Sequence, residues 1–153
     1  MEKTVEPHKS SLWNMDANLL ALLVYLVPLV LGFITLFSLA LIAWVIPLIV
    51  FLMEKKSDFV RFHAMQCLVL YIFSFALGIA IIMVAGGTMI ISVITDSIVG
   101  FISAYIGTIV IYGLVSIVLL IVEVIAMIKA YNHKEYHIPV LGKLARGFVK
   151  PLA

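Results

Sequence analysis

The chain has 153 residues, of which 65% are hydrophobic and 12% charged, whereas soluble domains run near ~45–50% apolar and ~25% charged. A water-soluble fold of this size cannot hide so much apolar side chain, so the lipid bilayer is the expected solvent. The net charge of +2, with no basic stripe interleaved with aromatics, argues against nucleic acid. A lone cysteine, Cys67, excludes an intrachain disulfide and a multi-cysteine metal site.

Residues 1–16 form a polar N-terminal segment mixing Glu2, Glu6 and Asp16 with Lys3 and Lys9, which is unlike a cleaved signal or an acid-poor transit peptide. The first apolar stretch runs from Ala17 to Met53. As one helix it would measure roughly 55 Å at ~1.5 Å per residue, far more than the ~30 Å hydrocarbon layer. A break near Thr35 to Ser38 divides it into two spans, about 17–34 and 38–53. Pro28 and Pro47 lie near their middles and predict bent helices. The second and third stretches predict spans at about 65–94 and 98–128, joined by Thr95-Asp96-Ser97.

Charge placement supports four spans in a transmembrane region 17–130. With that number all ten Lys and Arg fall on one side and Asp96 stands alone on the other. The positive-inside tendency then puts both termini in the cytoplasm of a prokaryotic cell, with the protein in its plasma membrane. The fold class is therefore all-α and polytopic.

Gly100, Ala104 and Thr108 recur four apart on the last span, with Ser103 and Gly107 on an adjoining row. Small residues at this spacing let backbones approach, within one chain or between copies. Residues 131–153 form a cytoplasmic tail. Within it Leu141, Leu144, Ala145, Phe148 and Val149 follow helical spacing, while Lys143, Arg146 and Lys150 lie mostly off that face. A short basic amphipathic helix on anionic lipid head groups is expected.

Little in the chain suggests catalysis. His133 and His137 are four apart, but Pro139 favours an extended turn there over a helical metal site. Cys67 reads as a small buried hydrophobe. No enzyme activity, metal or cofactor is expected. The polar residues that stand out are Arg61, His63 and Gln66 at the start of the third span and Glu123 inside the fourth. A carboxylate at span depth is costly, so Glu123 is expected to meet Arg61 or His63 in a polar cluster.

The string Phe59-Val-Arg-Phe-His-Ala-Met-Gln66, with Asp16-Ala-Asn-Leu-Leu-Ala upstream and Glu135-Tyr-His-Ile-Pro-Val-Leu-Gly142 downstream, resembles a family of small prokaryotic membrane proteins. That family is grouped with the twenty-kilodalton subunit of the chloroplast inner-envelope import machinery. The resemblance implies four helices, no catalytic residues and a part in protein translocation or membrane-protein assembly. A small transporter or channel subunit is the alternative. Other membrane proteins or further copies of the chain are the expected partners.

Overall fold

A computed structural model describes residues 3–34 and 44–149. The described elements are β1 (Lys3–Thr4), α1 (Ala17–Ile34), α2 (Val45–Met53), α3 (Asp58–Ile94), α4 (Ile98–Tyr131), β2 (Lys134–Glu135) and α5 (Leu141–Phe148). The expected break at Thr35–Ser38 lies outside the described residues, as do the start of the 38–53 span and Lys150.

Among the described residues three helices, α1, α3 and α4, are long and apolar enough to cross a membrane. This is a helical membrane protein. The described residues also hold a two-residue antiparallel ladder pairing Lys3 with Glu135 and Thr4 with Lys134, and an isolated antiparallel bridge between Lys9 and Asp16. Pro28 is accommodated inside α1. Pro47 stands in the first turn of α2, where its missing N–H has no intrahelical partner to lose.

The chain divides into two compact units. One joins residues 1–71 with 122–153, and the other is Ile72–Ile121. The second is a helical hairpin turned at Thr95-Asp96-Ser97, each arm about 23 residues or ~35 Å long, enough to cross the hydrocarbon layer. Its arms expose Ile82, Met83, Val84, Ile90 and Ile91 on one side and Ile109, Val110 and Ile111 on the other. Apolar side chains all round a helix call for lipid, not water, as the surrounding medium.

The first unit holds the tightest packing. α3 starts at Asp58, seven residues before the apolar stretch that begins at Met65. The reason is local: Ser57 Oγ accepts the Val60 N–H at 3.2 Å and Ser57 O accepts the Arg61 N–H at 3.1 Å, which caps a helix start. That extra turn brings Phe62 beneath α5. Phe62, Met65 and Leu68 pack there against Ala145 and Val149, with Phe51 and Val69 at the edge. α2 packs against α1.

Candidate functional site

The first unit is threaded by two polar networks. The first begins where α1 passes α3. Gln66 Nε2 donates to Tyr25 Oη at 3.1 Å, and Tyr25 Oη lies 3.3 Å from His63 Nδ1. Gln66 Oε1 accepts the Ile138 N–H at 3.1 Å. The other side of the imidazole meets the Lys134 main chain. Tyr25, which accepts from Gln66, has its own proton to donate to His63 Nδ1, and the ring then carries its proton on Nε2. His63 is then neutral and sits fully buried within an aromatic box of Phe59, Phe62 and Tyr25, at centroid distances of 4.6, 5.4 and 5.9 Å.

The second network is centred on Glu54, buried at the end of α2. Its carboxylate accepts the Ser11 N–H and hydroxyl, and the N–H groups of Lys56 and Ser57, at 2.8–3.1 Å. Burial works to raise its pKa. The hydrogen bonds from Ser11, Lys56 and Ser57 outweigh that and hold the carboxyl below the ordinary range. Ser11 Oγ also accepts the Lys55 N–H at 2.8 Å, and His8 Nε2 lies 2.7 Å from Ser57 Oγ. The N-terminal arm is thus tied to the turn between α2 and α3.

The tail is tied in as well. Glu135, also buried, meets Arg146 Nη1 and His137 Nε2, each at 3.4 Å. Arg146 further lies over the Phe62 ring at 5.7 Å. Asn18 Nδ2, at the start of α1, donates to Tyr131 O at the end of α4 at 2.9 Å.

Of the four residues expected to cluster, the structure joins two. His63 and Gln66 share the Tyr25 hydroxyl. Glu123 takes a different partner: its Oε1 accepts from Tyr71 Oη at 2.7 Å. Arg61 lies 3.8 Å from Asp58 and over the Phe51 ring at 5.2 Å. The expected pairing of Glu123 with Arg61 or His63 is therefore corrected. Tyr71 satisfies a carboxylate at span depth without a second buried charge, and Asp58 keeps Arg61 at the outer end of α3.

The basic tail residues divide too. Lys143 is exposed, but Arg146 turns into the fold, because Glu135 offers an opposite charge and Phe62 an aromatic face. The small-residue row is split in the same way. A Cβ on Gly100 would come within 2.8 Å of Ser92 Oγ, whereas one on Gly107 would meet nothing within 4 Å. Ala104, Gly107 and Thr108 line an apolar groove of about 420 Å³ with Ala80, Val84 and Thr88. Ser103 is exposed outside it.

Sequence reading missed Tyr25, Glu54, Tyr71 and Glu135. The first and third look like span aromatics, and the glutamates look like ordinary members of charged turns. A signal does exist for Glu54, which follows directly on an apolar run of fifteen residues, 39–53, and precedes the helix-capping Ser57.

Comparison with known proteins now places the chain. Residues 16–145 match the magnetosome magnetite crystal formation protein family, MamF/MmsF. The chain belongs to that family. It is also similar to two UPF0132 membrane proteins of Methanocaldococcus jannaschii. One, MJ1527, is 33% identical over 110 residues, which is 72% of this chain and 64% of the relative. The other, MJ1443, is 26% identical over 98 residues, 64% of this chain and 70% of the relative. The chain thus spans about two thirds of the length of these relatives. No solved structure matches it.

The family match corrects the likeness to the chloroplast import subunit. The residues that suggested it, Phe59 to Gln66, are those that build the aromatic box and the packing under α5. Such a string reports how the polar end of the fold is packed, and many membrane proteins could share it without sharing a task.

Proposed function

We propose that the chain is a four-span protein of a prokaryotic plasma membrane that works without catalysis, as a member of a membrane-embedded assembly. One observation carries the reading. All ten Lys and Arg lie in residues 1–71 and 122–153, while Ile72–Ile121 contains a single charged residue, Asp96. Such asymmetry favours a cytoplasmic basic end with both termini there, and an even number of crossings follows. α2 belongs to the second of the four.

A non-catalytic role is supported by what the buried polar groups do. Glu54, His63, Gln66 and Glu135 each fasten one segment of chain to another, which is a structural use of costly groups. Assembly is supported by kinship with a family described by magnetite crystal formation. The open groove beside Gly107 adds to this, since a neighbouring helix of a second copy or another membrane protein could approach closely there. Lys143, on the cytoplasmic side in this reading, faces anionic lipid head groups. A small ion-coupled transporter is the second reading, favoured by Glu123, a carboxylate bonded to one hydroxyl within the apolar part of α4.

Single cysteines in a Cys67→Ala background test the topology in intact cells. A cysteine at position 96 should react with an impermeant reagent and one at position 56 should not; the reverse pattern overturns the orientation. Cross-linking in native membranes should give discrete oligomers or mixed complexes. A chain that stays monomeric and conducts or transports ions after reconstitution favours the second reading.

A further inference from the structure

Two residues of the first unit combine a strained backbone with a large exposed apolar side chain. Trp13 has φ 54° and is 78% exposed; Val140 has φ 65° and is 71% exposed. Residues with a Cβ seldom occupy this left-handed region, and a β-branched valine there is an outlier.

The Trp13 turn is not loose. Ser10 N–H donates to Met15 O, Met15 N–H to Leu12 O and Ala17 N–H to His8 O, at 2.8, 3.2 and 3.0 Å, and Lys9 pairs with Asp16 at 2.7 Å. The turn is built to hold the indole outward, four residues before α1. Val140 stands directly before α5, ahead of a second apolar row on that helix. Leu141, Ala145 and Val149 face the core, while Val140, Leu144 and Phe148, spaced four apart, form a separate row that is 52–71% exposed. Trp13 stands five residues before Asn18, which meets Tyr131 at the end of α4, and Val140 stands five residues after Glu135, which pairs with Lys3.

We infer that Trp13 and the Val140, Leu144 and Phe148 row seat this end of the chain in the headgroup layer of an anionic phospholipid bilayer. The charges match that occupant. Lys143 is exposed on α5 beside the row, and Lys55 and Lys56 are exposed in the same unit, giving positive groups for lipid phosphates. An indole has an apolar body and one N–H donor, and it favours the boundary between acyl chains and water. A short helix with an apolar row and a flanking lysine lies naturally in that plane. The inference rests on the proposed topology only for which leaflet is engaged.

The test uses the full-length protein in vesicles of phosphatidylcholine and phosphatidylglycerol. In a Trp44→Phe background, Trp13 is the sole tryptophan. Its emission should be shifted to the blue of a water-exposed indole, quenched by lipids brominated near the headgroup more than by deeply brominated ones, and shielded from iodide. Phe148→Trp, in a chain with Trp13→Phe and Trp44→Phe, should behave alike. Adding Leu144→Asn, or omitting phosphatidylglycerol, should move that emission toward the red.

Water-like emission at either position, quenched by iodide and not by brominated lipid, overturns the inference. Unchanged emission without phosphatidylglycerol overturns its anionic part. The labelling at positions 56 and 96 separates this from a failure of topology: inverted labelling with lipid quenching intact leaves the seat standing in the other leaflet.

Discussion

Ser11 gives Glu54 both of its donors, the main-chain N–H at 2.9 Å to Oε1 and 3.1 Å to Oε2, and the hydroxyl at 2.8 Å to Oε1. A single serine forty-three residues upstream thereby accounts for much of the solvation that the buried carboxylate lost. Lys56 and Ser57 supply the rest, so the arm and the turn before α3 are stabilised as one piece.

Glu54→Gln should therefore destabilise the protein at neutral pH by about 1–3 kcal/mol, since charge-assisted bonds are replaced by weaker ones and an amide N–H₂ faces donors. The pH dependence follows from the lowered pKa. A depressed carboxyl contributes stability fully above its unfolded value near ~4.3, and that contribution disappears as pH falls through the folded value. Thermal unfolding in detergent from pH 7 to pH 3 should show the wild type losing stability across the acid range, with the Glu54→Gln variant losing less. Parallel curves would mean that Glu54 does not carry this dependence.

Gly142 and Gly147 sit in the same short helix yet should respond in opposite ways. A Cβ on Gly142 would stand 2.7 Å from the His137 Cα and 2.8 Å from Gln66 Oε1; one on Gly147 meets nothing within 4 Å. Gly142→Ala should cost about 1–3 kcal/mol by forcing backbone apart. Gly147→Ala should be neutral or add up to ~1 kcal/mol through helix propensity. Melting temperatures of the two variants decide the matter.

Tyr25, His63 and Gln66 form one chain of hydrogen bonds, so their substitutions should not add. Tyr25→Phe removes the hydroxyl that both partners use, and Gln66→Leu after Tyr25→Phe should cost less than Gln66→Leu alone. A coupling of about 0.5–3 kcal/mol is the expected range for residues in direct contact. Strict additivity in a double-mutant cycle would break the chain at Tyr25.

Glu123 and Tyr71 should couple in the same manner, whereas Glu123 and Arg61 should be additive because they touch different partners. The contrast between Glu123→Gln with Tyr71→Phe and Glu123→Gln with Arg61→Gln, measured as detergent stability, tests the site assignment. Strong coupling to Arg61 would restore the direct ion pair.

The sequence by itself determined the solvent, and with it the class of fold. Runs such as Ile98 to Val122 leave no polar face for water, and backbone groups in lipid must then be paired within helices. Those properties are local and additive along the chain, so composition, span length and the position of Asp96 suffice to read them. The partners of Glu123 and His63 were decided only by the tertiary structure. Each could reach several groups by spacing alone, and the choice depends on a capped extra turn at Ser57, on Tyr25 lying opposite Gln66, and on Arg146 folding back to Glu135. The hydrogen bonds of His63, Gln66 and Glu123 join residues 38 to 72 positions apart, and their geometry follows from packing, which no periodicity in the sequence encodes.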